Sequence, residues 1–200
     1  MKWMAMSVCL GMLALAGCSD TLEGNGDVVT ETRTVASFDA VDADNGVQVT
    51  ITVDPAVTGD ASLAVTTDSN LQEYLTTETS GTTLTVDTTR TGGVTPTGEF
   101  HVTGTVAAIT DISVDNGANL ELVGVGAAAT LTADNGAQLD GNGFEVTTAT
   151  VNVDNGGQLS LCATGTVTGD VGNGASLTVR CGGSTSGVET SNGGSVSSTP

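Results

Sequence analysis

Basic side chains are nearly missing from this sequence: 4 Lys and Arg stand against 23 Asp and Glu, giving a formal charge of −19 over 200 residues. Duplex binding draws its affinity from basic groups on phosphates, so a field of this sign excludes nucleic acid as a partner. Aromatic residues make up only 2 %, which leaves Leu, Val, Ala and Thr to fill any interior. His101 is the sole histidine, and no Gly-x-Ser-x-Gly elbow occurs. A nucleophile would therefore lack the adjacent base that a hydrolase triad needs. Long apolar runs are confined to the first 17 residues, and a membrane-spanning helix needs about 20.

That first run is informative. Met1-Lys2-Trp3 leads an apolar stretch to Leu15, followed by Leu15-Ala16-Gly17-Cys18. The pattern is an export signal ending in a bacterial lipobox, with residues 1–17 removed and Cys18 acylated. Several acyl chains on one cysteine hold a membrane face far better than the marginal grip of one. The membrane is thus an expected partner through the lipid, and the rest of the chain lies outside the cytoplasm. The expected address is the bacterial cell envelope, anchored to the outer membrane and facing periplasm or exterior. Residues 18–29 are polar and glycine-bearing and are expected to form a tether, followed by one domain over residues 30–200.

Once Cys9 leaves with the signal and Cys18 is acylated, Cys162 and Cys181 remain, 19 residues apart. A disulfide between neighbouring strands is available, since strands lie about 4.8 Å apart and disulfides bridge Cα separations of about 4.4 to 6.8 Å. Two separate thiols are the alternative. Cys162 is seven residues after its nearest upstream Asn-Gly and Cys181 eight, so a bulge is expected to absorb the slip. Two cysteines and one distant histidine do not make a zinc site.

The dominant pattern is a beat of Asn-Gly pairs at Asn116, Asn135, Asn155, Asn173 and Asn192, spaced 19, 20, 18 and 19 residues apart. Apolar residues keep time with it. The fourth residue after each Asn is Leu120, Leu139, Leu159, Leu177 or Val196, and the second before is Val114, Ala133, Val153, Val171 or Thr190. Asp44-Asn45-Gly46 shares these offsets and reads as an early member. Asn-Gly between alternating apolar residues ordinarily signals a hairpin, but hairpin turns come about every 8 to 12 residues. A return every 19 or so suits a coil of short strands. The expectation is an all-β fold, a parallel β-helix with rungs of about 19 residues, in which Asn side chains hydrogen-bond from rung to rung. Asn70 to Leu75 alone has helical spacing and is expected to give at most one short turn, with a loop over residues 88–98.

The run Phe38 to Val53, the segment from Asp68-Ser69-Asn70-Leu71 through Thr83-Leu84-Thr85-Val86, and Ile109 to Leu122 together resemble the head GIN domain of "putative autotransporter adhesins". The resemblance extends over residues 33 to 198 or so. It implies an exported, often lipid-anchored protein folded as a right-handed parallel β-helix. Asp-Asn-Gly corners stand here where that family often has Ser-Gly-Ser-Gly.

The strongest chemical constellation is Asp115, Asp134 and Asp154, each directly before its Asn-Gly. Stacked carboxylates repel, so the column is expected to be splayed into water, partly protonated or bridged by a cation. Calcium is the natural ion for such oxygens; no other cofactor is expected. The column breaks at Gly172 and Ser191. The sequence reads as a non-catalytic envelope lipoprotein with an adhesive, recognition or structural role, with glycans or surface proteins as candidate partners. A β-helical polysaccharide-active enzyme is the alternative, though three arginines (Arg33, Arg90, Arg180) are a poor supply for meeting acidic sugars.

Overall fold

A computed structural model describes residues 21–200. The export signal and Cys18 lie outside the described residues. Valine and threonine abundance gives strands nearly everywhere. In chain order these are β1 (Leu22–Glu23), β2 (Val28–Val35), β3 (Ala40–Ala43), β4 (Gln48–Val53), β5 (Ala61–Asp68), β6 (Leu75–Ser80), β7 (Thr83–Thr88), β8 (Val94–Thr95) and β9 (His101–Val106). The second half holds β10 (Asp111–Val114), β11 (Asn119–Ala133), β12 (Gln138–Val153), β13 (Gln158–Ala163), β14 (Thr166–Val171), β15 (Ser176–Arg180), β16 (Ser184–Thr190) and β17 (Ser195–Ser198). The short helical turn expected after Asn70 is a 3-10 turn at Gln72–Tyr74.

The expected right-handed parallel β-helix is not the fold. Fifteen strands form one mixed sheet in a nearly closed, barrel-like arrangement. Three of its pairings are antiparallel, β2 with β5, β5 with β9 and β6 with β7. The reason is clearest at β6 and β7. They are joined only by Gly81-Thr82, and a two-residue connection can return a strand antiparallel but cannot carry it across to a parallel position. The Asn-Gly beat does not reach residues 54–100, and the antiparallel strands are concentrated there.

Within the second half the pairings are parallel and follow the beat. Leu120 stands beside Leu139, Leu139 beside Leu159, Leu159 beside Leu177 and Leu177 beside Val196. The four leucines are at most 2 % exposed, and each contributes about 1.5–3 kcal/mol by burial. A second inward row runs through Ile112, Leu131 and Val151. Rung order is not chain order. Val114 pairs with Ala43, 71 residues earlier, and Ala43 pairs on its other side with Val86. The Asn45 corner therefore sits next to that of Asn116, with β7 beyond it.

The stretch read as a tether is part of the fold from Leu22 onward. β1 pairs with β8, and the fully buried Asp68 clasps both segments. Its carboxylate accepts from the Gly26 amide at 2.7 Å, the Thr97 amide at 2.9 Å and the Thr97 hydroxyl at 2.6 Å. These bonds, the Thr97 hydroxyl's first, hold its pKa below the ordinary 3.8. A side chain at Gly24 would place Cβ 2.2 Å from Asp68 Oδ2, so the clasp admits only glycine there. Cys162 and Cys181 form the disulfide, with Cα atoms 5.2 Å apart. Cys162 is in register with Arg180, and Cys181 takes a positive φ of 68°. A left-handed residue, rather than the expected bulge, absorbs the one-residue slip.

Candidate functional site

Each Asn-Gly pair of the beat is a tight turn with both central residues left-handed. φ is 47° at Asn116 and 74° at Gly117, and 47° at Asn135 and 76° at Gly136. The i to i+3 backbone bond closes each one, for example Ala118 N–H to Asp115 O at 3.0 Å and Ala137 N–H to Asp134 O at 2.9 Å. This is type I′ chemistry, which favours Asn then Gly because both must tolerate positive φ. The turn does not make a hairpin: where the flanking strands pair, as β10 with β11 and β11 with β12, they pair parallel, with partners about one repeat apart. The turn instead swings the chain from one parallel face to the next, as from β10 into β11.

The corner acids and asparagines alternate rather than forming separate columns. Asn116 Nδ2 donates to Asp44 at 2.7 Å, Asn135 Nδ2 to Asp115 at 2.8 Å and Asn155 Nδ2 to Asp134 at 2.8 Å. Asn45 Nδ2 donates likewise to Asp87 at 2.7 Å. The same Oδ1 atoms of Asp44, Asp115 and Asp134 also accept from the backbone amide of the asparagine that follows. Asn above Asn, as the sequence suggested, occurs only at the neutral end, where Asn173 Nδ2 reaches Asn155 Oδ1 at 3.4 Å. Asp154 keeps its bond from the Asn155 amide at 2.8 Å, and Asn192 holds its left-handed turn.

For Asp115, Asp134 and Asp154, the possible calcium ligands, the geometry supplies donors from the chain itself. Among the described residues no group of three or more His, Cys, Asp or Glu is disposed to hold a metal ion. Repulsion is felt at the other end of the column. Burial, then the charges of Asp44, Asp87 and Asp115, push the Asp42 carboxyl above its ordinary 3.8.

Beside this corner lies a face that inspection of the sequence did not single out. Gln48, Asn119, Gln138 and Gln158 stand in register on β4, β11, β12 and β13, pointing outward. Two residues further along each strand, Thr50, Glu121, Asp140 and Ser160 form a second row. The rows extend to His101 and Thr103 on β9 and to Ser176 and Thr178 on β15. A depression of about 170 Å³ opens where Gln138, Asp140, Gln158 and Ser160 meet Ser176 and Thr178. Its hydroxyls and acids are already oriented. Ser160 Oγ donates to Asp140 Oδ1 at 3.1 Å, Asn142 Nδ2 donates to the same oxygen at 2.7 Å, and Thr50 Oγ1 lies 2.9 Å from His101 Nε2. The signal was available in the sequence as an amide at a fixed three residues after Asn45, Asn116, Asn135 and Asn155.

Each amide offers two donors and an acceptor, and each carboxylate accepts from hydroxyls. With strands about 4.8 Å apart, the face presents a repeating polar lattice without a concentrated nucleophile or base. No helix among the described residues is long and apolar enough to cross a membrane.

Comparison with known proteins gives a family match over part of the chain. No curated protein matches the chain. Among solved structures, a "putative adhesin" from Bacteroides fragilis NCTC 9343 is similar with a TM-score of 0.53 at 14 % identity, covering 88 % of this chain and 98 % of that one. Another from Parabacteroides merdae ATCC 43184 has a TM-score of 0.43 at 14 % identity, covering 90 % and 100 %. The family model described as "Putative auto-transporter adhesin, head GIN domain" matches residues 37–133, the part that holds both the run from Phe38 to Val53 and that from Ile109 to Leu122, so over these residues the chain is a match to the head GIN domain.

Proposed function

We propose that this protein is a non-catalytic recognition module of the bacterial cell surface, exported and held to the envelope by lipid on Cys18. In this reading the amide and hydroxyl rows on β4, β11, β12 and β13 dock glycans or the polar surface of a partner protein. The observation that carries the reading is the registered row Gln48, Asn119, Gln138 and Gln158, flanked by Thr50, Glu121, Asp140 and Ser160. A ligand with regularly spaced hydroxyl groups can satisfy successive strands with the same contact. The match to an adhesin family supports a surface role.

A glycan array and a whole-cell adhesion assay test it, with the double variant Gln138→Ala/Gln158→Ala. Two lost hydrogen bonds of about 1 kcal/mol each weaken binding roughly 30-fold. A blank array together with adhesion unaltered by the variant overturns the reading.

A further inference from the structure

We propose that the depression over β12, β13 and β15 is a subsite for sugars carrying an unacetylated amino group, with Asp140 as the residue that selects them. This rests on the reading of the amide and hydroxyl rows as a glycan-docking face and names the class of glycan.

The depression is shaped by a break in register. Gly141 stands beside Leu161 and Glu145 beside Cys162, so residues 142–144 of β12 have no counterparts on β13. Bulges of this kind re-aim side chains, and here Asn142 is brought back onto Asp140. Its backbone amide donates to Asp140 Oδ1 at 2.9 Å and its Nδ2 to the same oxygen at 2.7 Å, joined by Ser160 Oγ at 3.1 Å. The donors converge on one oxygen, and no donor among the described residues reaches Oδ2. The carboxylate is thus oriented, with its second oxygen left to accept from outside. The polar lining, Gln138, Asp140, Gln158, Ser160, Ser176 and Thr178, adds amides and hydroxyls around this single carboxylate, and no basic residue.

What the face lacks decides the ligand. An aromatic ring grips the apolar side of a neutral sugar by stacking, but Phe38, Phe100 and Phe144 are buried and Tyr74 is packed against Arg90. Hydrogen bonds must therefore hold the ligand. One between ionised partners is roughly twice as strong as a neutral one, so an ammonium on Asp140 Oδ2 outweighs a hydroxyl in the same place. An acetamido group offers one N–H and no charge. Sugar acids are worse still: Asp140, Glu121 beside it and the formal −19 of the chain all repel a carboxylate. Glu121 stands in register with Asp140, and strands lie about 4.8 Å apart, so amino groups on successive units of one oligomer meet carboxylates on successive strands.

The test is isothermal titration calorimetry of the full chain in mild detergent with short oligomers of glucosamine, of N-acetylglucosamine and of galacturonic acid, and with a lysine oligomer as a cation without sugar. The glucosamine oligomer should bind about tenfold more tightly than its acetylated counterpart, and the uronic oligomer should be silent. Asp140→Asn, which keeps an oxygen for Asn142 and Ser160, should remove that preference. Glu189→Gln, the same change of charge on β16, should leave it. The lysine oligomer should bind weakly and respond alike to both variants. Equal binding of the two glucosamine oligomers, lost in Gln138→Ala/Gln158→Ala but not in Asp140→Asn, overturns the amino-sugar assignment and leaves the docking face standing. A lysine oligomer that matches the glucosamine oligomer and depends on Asp140 overturns it too, in favour of a lysine-bearing partner protein. Silence toward every sugar also overturns it, and the docking face falls with it only if adhesion is indifferent to Gln138→Ala/Gln158→Ala.

Discussion

At the scale of single residues, the corner asparagines have two separable duties. Asn135 adopts a φ of 47°, which costs most side chains about 1–2 kcal/mol and Asn or Gly much less. Its Nδ2 also donates to Asp115 on the neighbouring strand at 2.8 Å, a bond to a charged acceptor at an exposed site. Asn135→Gly keeps the backbone conformation and loses only the bond; Asn135→Ala loses both. Urea unfolding should show Asn135→Gly destabilised by about 0.5–1.5 kcal/mol and Asn135→Ala by roughly 1–2 kcal/mol more. Equal losses in the two variants would mean that the side-chain bond, and not the turn geometry, is what asparagine supplies. The alternation also explains how carboxylates stack along the corner: an amide donor stands between successive acids. The sequence displays both residue types at every corner, but it does not say which side chain reaches to the next strand, because that depends on the small offset between turns.

At the scale of elements, what was legible follows from local chemistry and what was not follows from connectivity. The inward rows Leu120, Leu139, Leu159 and Leu177 were readable because period-two alternation was locked to a long-range beat. The tight Asn-Gly turns were readable because few residues tolerate two successive left-handed positions. The antiparallel strands β2, β5 and β6 carry no beat, so nothing in the sequence marked their direction except the short Gly81-Thr82 link. Asn45 looked like the first member of the series and is instead an interior one, because β7 and β9 fold back beyond it. The face with Gln138 and Gln158 went unnoticed because exposed polar positions attract no attention until registration aligns them. Where the beat slips, at Cys162 and Cys181, a covalent link spans β13 and the end of β15. Closing a loop of 19 residues is expected to stabilise the fold by about 3 kcal/mol. A reductant, or the double variant Cys162→Ala/Cys181→Ala, should lower stability by that amount in chemical denaturation. The first protection lost in amide exchange should be in β15, β16 and β17. A uniform loss over the whole sheet would show instead that the disulfide sets global stability alone.

For the whole molecule the governing quantity is charge. Basic groups to offset the acids are few: Arg33 pairs with Glu31 at 3.4 Å and is otherwise occupied in bonding Leu75 O, Gln72 O and Thr77. The remaining acids repel across the surface, most sharply where Asp42 faces Asp44, Asp87 and Asp115. The sign of the effect follows from linkage. The folded pKa of Asp42 lies above its ordinary 3.8, so its ionisation opposes folding in full above the folded pKa, and that penalty disappears as pH falls to 3.8. Asp68 acts oppositely: its lowered pKa contributes stability that is complete above 3.8 and is lost as pH falls through the folded value. Salt shortens the reach of repulsion, from about 30 Å at 0.01 M to about 8 Å at 0.15 M. Thermal melts at pH 7 should therefore rise with sodium chloride, by about 2–4 °C for each kcal/mol of repulsion relieved. Asp42→Asn should melt above the parent at low salt, with the difference shrinking as salt is added. A melting temperature indifferent to salt, or an Asp42→Asn variant less stable than the parent at low salt, would mean that the amide donors along the corner already neutralise the column and that its acidity costs the fold nothing.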